Sequence, residues 1–589
     1  MISNTSIPEW WPLSAIATCV VTLITAYAIL YQLSCRQLDP REPPVIASPI
    51  PYVGHLLGMA FQGGRYVKNL GIRNRQLPIF TLPVPNSRLY IVTDPSLAAA
   101  VQRASRALSF TPVVPAATER VLGLDAATMR IVRRHLLDPG PGDDERGFLA
   151  DIQDMVYARL GPGPYLGELT LAAARELQRE IASSSYSSAA QPPPPPIDLL
   201  AWIRHLVTPA TARYLYGPEN PLALDPGLEG AFWDFDHGLG GLLMSGGLAS
   251  LTARRAYAGR ERLAAALAAY LEAGRHETGA SRIVRERVAI ARRHGWTLRA
   301  AARSELSFLF AGVVNVTTAA FWLVARVFAD AALLAAVRGE VEAVLRSPAT
   351  EEEEDGTEEG RRLLSVADLR DRCPWLVAAY RECLRLGSDN YSTRVVVGGE
   401  EGEKGEDQGT LLAGRYFLRR GAVVQVAGGV IHADPAIWGD DADEFNPGRF
   451  FLDKDDEHNG DDVGERRGRE GGTTTRRQKK KNTTQVHHPA AFRAFGGGKT
   501  LCPGRHLAMN EILCFVALVV LQFDIEAADD GDHSVGDDEK KKERIRVPRK
   551  NDGVLPIHIL EPVSPVMVRI TRRKDDVVEG GVANVRFEM

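Results

Sequence analysis

Cysteine is scarce in this sequence, with six residues among 589, at positions 19, 35, 373, 383, 502 and 514. Their irregular spacing does not form a disulfide framework, which fits a reducing compartment around the main body of the chain. A charge imbalance is also lacking, because the net charge is only -4, so the overall balance does not indicate a nucleic-acid or acidic partner. No flavin or nicotinamide fingerprint is present. The 45% hydrophobic content allows a large core, and the length allows one large domain with appendages or two domains.

One long uncharged run stands out at the N-terminus, over residues 11–33. It is long enough to cross a bilayer as a helix. Arg36 and Arg41 follow it, so the positive-inside rule predicts that residues 1–10 lie in the lumen, with a glycosylation sequon at Asn4. A cleaved signal peptide is the alternative, but its apolar region would be shorter and preceded by a basic residue. The sequence therefore predicts a single-pass anchor with the rest of the chain in the cytosol.

The chain beyond the anchor reads as mainly helical. A proline-rich hinge spans 34–56 and precedes a body over 57–572, which contains a polar insertion at 454–482 and leaves a tail at 573–589. Alternating apolar residues over 75–92, interrupted by prolines and an asparagine, predict a hairpin within a small β-region. Apolar residues at helical spacing predict helices at 145–160, 166–185, 252–274, 281–295, 298–328, 330–346 and 366–386.

A glycine-rich loop runs from Phe495 to Gly504 and delivers Cys502 to the start of an apolar helix. Glycines let a backbone approach a flat ligand closely. Pro503 is expected to open the helix, so that unpaired amides and the helix dipole lower the pKa of the Cys502 thiol. Such a loop can present a thiolate to a metal.

Two other interpretations of this loop are open. Gly498-Lys499-Thr500 could end a phosphate-binding loop, but that motif needs a glycine where Arg493 stands. A zinc site could use Cys502 with nearby histidines, but it lacks a second cysteine at ligand spacing. The candidate histidines are His487, His488 and His506.

The loop resembles the haem-ligand loop of the cytochrome P450 family, with the fixed positions of that pattern at Phe495, Gly498, Cys502 and Gly504. The resemblance is to membrane-anchored eukaryotic members, in particular fungal ones. It implies the cytochrome P450 fold, haem b as cofactor and Cys502 as the axial ligand of the iron.

Other positions carry the same resemblance. Glu382 and Arg385, three residues apart on one helix, and Arg449 in a Phe-Asn-Pro-Gly-Arg-Phe turn resemble the buried triad that supports the cysteine loop in this family. The family implies that Arg394 contacts a haem propionate, and that a helix over 126–137 brings one of Arg130, Arg133 and Arg134 to the haem. Thr500 departs from the arginine or histidine often found two residues before the cysteine, so a hydroxyl contact to the other propionate is expected.

The apolar segment from Phe308 to Trp322 is a predicted buried helix and bears on the type of reaction. Most family members have an acid and a threonine here, which deliver protons. This chain has Asn315 and Val316, which resembles the branch of sterol 7α- and 12α-hydroxylases and prostacyclin synthase. Thr317 or Thr318 could replace the missing alcohol through a local helix distortion, or ordered water could relay protons. A residue that bonds its own helix backbone is the structural alternative for Asn315.

These resemblances imply a haem-thiolate monooxygenase at the endoplasmic reticulum membrane. It would oxidise a hydrophobic sterol, terpenoid or polyketide-type metabolite and take electrons from a separate NADPH-cytochrome P450 reductase. Two alternatives stay open: an isomerase or dehydratase that rearranges an oxygenated substrate without a reductase, and a non-enzymatic membrane protein with a degenerate haem fold.

Overall fold

Helices dominate the computed structural model, as the sequence predicts. It describes residues 11–136, 146–183, 194–245, 247–346, 362–398, 409–451, 488–528, 544–573 and 581–589. The predicted lumenal segment with Asn4 and the polar insertion at 454–482 lie outside the described residues.

The described helices are numbered in chain order. They are α1 (Trp11–Cys35), α2 (Gly54–Gln62), α3 (Gly64–Arg73), α4 (Pro95–Arg103), α5 (Val114–Leu122), α6 (Ala126–Arg133), α7 (Phe148–Leu160), α8 (Pro164–Ser183), α9 (Leu199–Tyr216), α10 (Pro221–Leu224), α11 (Leu228–His237), α12 (Leu239–Met244), α13 (Ala249–Thr252), α14 (Arg254–Glu272), α15 (Arg275–Gly279), α16 (Arg282–Arg293), α17 (Leu298–Ala329), α18 (Ala331–Val344), α19 (Val366–Asp371), α20 (Pro374–Gly387), α21 (Gly428–His432), α22 (Pro435–Trp438) and α23 (Arg505–Gln522).

The described strands are short. They are β1 (Ile79–Val84), β2 (Ser87–Val92), β3 (Leu108–Ser109), β4 (Ile197–Asp198), β5 (Leu345–Arg346), β6 (Arg362–Ser365), β7 (Tyr391–Val396), β8 (Gly409–Leu412), β9 (Tyr416–Arg419), β10 (Val423–Ala427), β11 (Phe523–Ala527), β12 (Met567–Arg572) and β13 (Val585–Glu588). The largest sheet has the order β1-β2-β10-β7-β3, and β2 pairs with β10 in parallel. The hairpin predicted over 75–92 is confirmed as β1 and β2, joined by a two-residue turn in which Asn86 has φ +59°.

The helix α17 lies at the centre of the helical body and packs against α9, α14, α20 and α23. The side chain of Thr297 caps its first turn by accepting from the amide of Ala300. Apolar residues surround the helix on every side, so that most of its second half, from Val316 onward, is buried in the largest core cluster. This placement holds the segment from Phe308 to Trp322 inside the protein.

Two boundaries differ from the sequence prediction. The helix expected over 366–386 is two helices, α19 and α20, because Pro374 cannot continue a helix and instead opens the second one. Residues 585–588, assigned above to a tail, form β13 and pair in parallel with β6. The C-terminus is thereby attached to the body.

Three described helices are long and apolar enough to cross a membrane: α1, α17 and α23. Most of the apolar stretch of α17 and of α23 is buried inside the protein, whereas the most apolar 18-residue stretch of α1, within residues 15–35, contains no buried residue. The exposed apolar surface of α1 is compatible with a membrane anchor.

Candidate active site

The loop that carries Cys502 is folded tightly against α4. Gly496 and Gly498 have φ +76° and +63°, a conformation that side chains with a Cβ rarely adopt. A Cβ at Gly498 would also lie 2.9 Å from the Cβ of Gln102 on α4. The amide of Cys502 donates to the carbonyl of Phe495 at 2.9 Å and closes the loop. The glycines therefore allow a turn that fixes the position of the cysteine.

The protonation of Cys502 differs from the prediction. Burial raises the pKa of its thiol, and the amides of Gly504 and Arg505, with the charge of Arg505, offset this only in part. The expected lowering of the pKa is therefore wrong for the free thiol. The helix begins at Arg505 with Gly504 as its cap, not at Pro503.

Glu382, Arg385 and Arg449 lie together, as the sequence analysis expected. Both oxygens of the Glu382 carboxylate accept from Arg385 at 2.7 Å, and Nε of Arg449 donates to Glu382 at 3.2 Å. Arg385 also donates to the carbonyls of His432 and Ala442 at 2.6 and 2.7 Å. The side chains of Glu382 and Arg385 are fully buried, so every charge in the group has its partner in the interior.

His432 connects this group to the cysteine loop. Its Nδ1 donates to the carbonyl of Ser388 at 2.9 Å, and its Nε2 accepts from the amide of Arg493 at 2.8 Å. Burial lowers the pKa of His432 to about 3, so the ring is neutral and this tautomer is fixed. Sequence reasoning missed His432. A histidine in an otherwise apolar turn after β10 was the available signal.

Two arginines lie buried beside the loop without an acidic partner. Arg394 donates to the hydroxyl of Thr500 at 2.5 Å and to the carbonyl of Gly497 at 3.4 Å. Arg493, which sequence reasoning did not assign to the site, donates to the hydroxyl of Ser392 at 3.0 Å. Burial and the nearby Arg394 lower the pKa of Arg493 to about 10. No carboxylate among the described residues pairs with either guanidinium.

A flat group with two carboxylates fits this arrangement. Two like charges buried together are costly unless an anion compensates them. The propionates of haem supply two negative charges, and the sulfur of Cys502 belongs to the same loop. Cys502 can therefore supply the ligand of the haem iron, and the two arginines match the charge of the propionates.

The middle of α17 leaves one face open. Ala311 is exposed, and Phe308, Gly312 and Asn315 are partly exposed, although the helix is packed against neighbours elsewhere. These four positions recur at helical spacing and so form one stripe. The helix that carries this stripe packs against α23, which starts directly after the loop of Cys502.

Asn315 is held from outside its own helix. Its Oδ1 accepts from the amide of Ile559 in the C-terminal segment at 2.9 Å, so the structural alternative of a bond to its own helix backbone is wrong. Thr317 and Thr318 are buried, and their hydroxyls donate to the carbonyls of Val313 and Val314. The helix is continuous here, without the local distortion through which Thr317 was expected to act.

A second polar group lies next to this segment. Nε2 of His558 is 3.4 Å from Oδ1 of Asp236, whose pKa burial raises. Ligand atoms of Asp236, His237 and Glu561 lie within 4.8 Å of one another, as a metal site requires. However, Arg204 contacts the carboxylate of Glu561 and is the cation of this group. Sequence reasoning did not identify these residues because they come from three separate segments.

Comparisons with known proteins agree with the geometry. The family model described as cytochrome P450 matches residues 292–552. A cytochrome P450 monooxygenase, nodJ, of Hypoxylon pulicicidum is 29% identical over 86% of this chain and 88% of its own length. A bifunctional cytochrome P450/NADPH–P450 reductase of Aspergillus oryzae is 30% identical over 29% of this chain and 12% of its own length. Among solved structures, cyanobacterial CYP120A1 with bound retinoic acid has a TM-score of 0.60 at 16% identity, covering 90% of this chain and 99% of that one.

Proposed function

We propose a function from one premise: the chain belongs to the cytochrome P450 family and is a haem-dependent monooxygenase. Its substrate is a hydrophobic small molecule of the sterol, terpenoid or polyketide type. Its electrons come from a separate NADPH-dependent reductase. The observation that carries the proposal is that one loop cysteine and two buried arginines, which have no carboxylate partner among the described residues, lie at the same site.

The residues around the loop would hold the cofactor. Haem, when bound, supplies the activation of dioxygen. The sulfur of Cys502 would ligate the iron, and Arg394 and Arg493 would neutralise the two propionates. Glu382, Arg385 and Arg449 have a structural part, because they fix the turn that holds His432 and, through it, the backbone of the loop.

Asn315 is the polar residue at the open stripe of α17. Because its Oδ1 is engaged with the amide of Ile559, its Nδ2 is the group left to donate a hydrogen bond. An amide cannot serve as an acid, so ordered water must carry protons past it. We assign this orienting part to Asn315 rather than to Thr317, whose hydroxyl is engaged within its helix.

Apolar helices support a hydrophobic substrate. Phe232 and Phe235 on α11 and Leu239 and Leu242 on α12 are buried, and the ring of Phe235 lies 6.0 Å from that of Phe310 on α17. An aromatic and aliphatic lining of this kind next to the substrate would select apolar ligands. The relative from Aspergillus oryzae, by its name, combines a cytochrome P450 with a reductase, and it supports the same electron source here, from a separate protein.

The exposed apolar helix α1 supports a membrane location. We place the protein in the endoplasmic reticulum membrane by a single span, with the body in the cytosol. Lipid-dissolved substrates and a membrane-bound reductase would both be accessible there.

The ferrous carbon monoxide spectrum tests the proposal. The wild type should show the red-shifted Soret band of thiolate ligation, and Cys502→Ala should lose it. Cys514→Ala, which changes a buried cysteine on α23, is the matched control and should keep the band. Absence of the band in the wild type contradicts the proposal.

Product formation separates the reaction classes. Metabolite profiling of a strain that lacks the protein would identify the substrate. With that substrate, a monooxygenase requires oxygen, NADPH and the reductase. Product that forms without all three would favour the isomerase or dehydratase instead.

A further inference from the structure

A cavity of about 700 Å³ lies apart from the cysteine loop, between α3, α20, the end of α17 and the C-terminal segment. Its polar side chains are mostly basic. Six basic residues line it, against three acidic ones: Arg65, Lys68, Arg326, Arg385, Arg549 and Lys550, with Asp389, Asp443 and Asp552.

Several of these charges are paired. The guanidinium of Arg65 lies 2.6 Å from the carboxylate of Asp552. Arg385 forms its ion pair with Glu382, which does not itself line the cavity. Lys68 and Lys550 share one carboxylate, that of Asp389, at 3.2 and 2.8 Å. Burial lowers the pKa of Lys550 to about 8, although the charge of Asp389 opposes the shift.

Arg326 forms no ion pair within 4 Å among the described residues, and the charge of Glu382, which already contacts Arg385 and Arg449, only partly offsets the burial that lowers the pKa of Arg326. It extends from the last turn of α17, and its guanidinium stacks on the ring of Phe445 at 5.0 Å from the centroid. Arg549, an exposed residue that also lines the cavity, has no carboxylate partner either in the described parts of the chain. Once Glu382 is counted with Arg385, the lining holds two more cations than carboxylates.

Part of the wall is apolar. Trp322, Leu386, Phe445 and Val547 supply aromatic and aliphatic surface, and Val563 is 55% exposed. The amide of Gly64 donates to the carbonyl of Val554, which joins α3 to the C-terminal segment at this edge. Exposed apolar residues lie on both sides of this edge. They are Leu56, Leu57 and Phe61 in α2, which precedes α3, and Val554 and Ile557 in the C-terminal segment. An apolar rim next to a basic cavity suits a ligand with a charged head and an apolar body.

We propose that this cavity binds a phosphate monoester group, with Arg326 and Arg549 as its main contacts. A phosphate monoester carries a charge of about -1.5 to -2 near neutral pH, which matches the excess of two cations. The guanidinium fork suits its oxygens. The group can belong to a lipid headgroup or to free phosphate, and in both cases the chemistry of recognition is the same.

The test is calorimetric titration of the full-length, haem-loaded protein in detergent. Two probes are compared: inorganic phosphate and dihexanoyl phosphatidate, with dihexanoyl phosphatidylcholine as the headgroup control. Arg326→Met keeps the apolar stem against Phe445, and Arg549→Gln changes a surface residue that should not affect folding. Arg299→Gln is the matched control, because Arg299 is 82% exposed in its side chain and lies on the same helix as Arg326, about 40 Å away.

We expect each of the two variants to weaken binding about tenfold, as the loss of one charge-assisted hydrogen bond predicts, and Arg299→Gln to bind as the wild type does. Tighter binding of phosphatidate than of phosphate would identify a lipid as the source, and equal binding would identify free phosphate. The proposal is overturned if neither probe binds, if phosphatidylcholine binds as well as phosphatidate, or if Arg326→Met and Arg549→Gln bind like the wild type. Because the cavity does not contain Cys502, the carbon monoxide spectrum of each sample reports separately on the haem site.

Discussion

Replacement of Arg493 by leucine should weaken haem retention without breaking the loop. The hydrogen bond from Arg493 to His432 uses the backbone amide, so it survives any change except proline. What the variant loses is a guanidinium that is 1% exposed and has no carboxylate near it among the described residues. A charged hydrogen bond contributes about 1.5 to 3 kcal/mol, so haem should dissociate about 10 to 100 times faster.

In the haem-free protein, Arg493→Leu should instead be favourable and raise the free energy of unfolding. Burial and Arg394 lower the pKa of Arg493 to about 10, which corresponds to a cost of about 3 kcal/mol for the charged form. Leucine removes this cost, so the haem-free protein should unfold at higher urea concentration than the wild type. If Arg493 had a purely structural role, its replacement would change the stability of the haem-bound and of the haem-free protein in the same direction.

Haem transfer to an excess of apomyoglobin measures the first quantity, and urea unfolding measures the second. Arg285→Leu, a change of an exposed arginine on α16, is the control and should leave both unchanged. Arg493→Lys should fall between wild type and leucine, because it keeps the charge and loses the fork. Wild-type haem transfer rates in Arg493→Leu would refute the reasoning.

Changes at three further residues test other parts of the site. Glu382→Gln leaves a buried arginine uncompensated, so urea unfolding should show a loss of about 3 kcal/mol or more, and the yield of haem protein should fall. His432 is neutral in the fold and has a pKa of about 3 there. The unfolded state takes up its proton first, so stability should fall as the pH drops below about 6.5, by up to about 1.4 kcal/mol per pH unit; His432→Gln should reduce this slope in unfolding curves. Asn315→Asp keeps the acceptor for the amide of Ile559 and introduces a carboxyl. The fraction of NADPH electrons recovered in product should therefore rise, and the fraction lost to hydrogen peroxide should fall. Asn315→Leu should lower the melting temperature, and an unchanged value would contradict the contact with Ile559.

The positions with local sequence patterns were predictable. The loop from Phe495 to Gly504 could be identified because its glycines and cysteine have fixed spacing, and the hairpin of β1 and β2 because its alternation and turn residues are adjacent in the chain. The predicted helix boundaries lie close to the observed ones for the same reason, because capping and periodicity act within a few residues. The break at Pro374 was missed because apolar spacing continues across it.

The electrostatic contacts could not be read in this way. Arg394 lies on β7 and Arg493 lies just before the cysteine loop, about a hundred residues later in the chain, so only the fold brings them close together. A sequence also does not reveal which of its charged residues are buried. The pKa of Cys502 shows the same limit. The helix dipole is a local property and was predicted correctly in direction, but burial is a property of the whole fold and outweighs it.

Asn315 shows why the type of reaction depends on contacts distant in sequence. Its position on α17 could be assigned from the sequence, but its acceptor function could not, because its partner Ile559 belongs to the C-terminal segment. That segment also places His558 against Asp236 and against the ring of Phe310, 6.5 Å away. The helix and the segment therefore form one wall at the open stripe. An asparagine tied to that wall can donate a hydrogen bond through its Nδ2 but is not an acid, which is why the proposed function gives it an orienting part only.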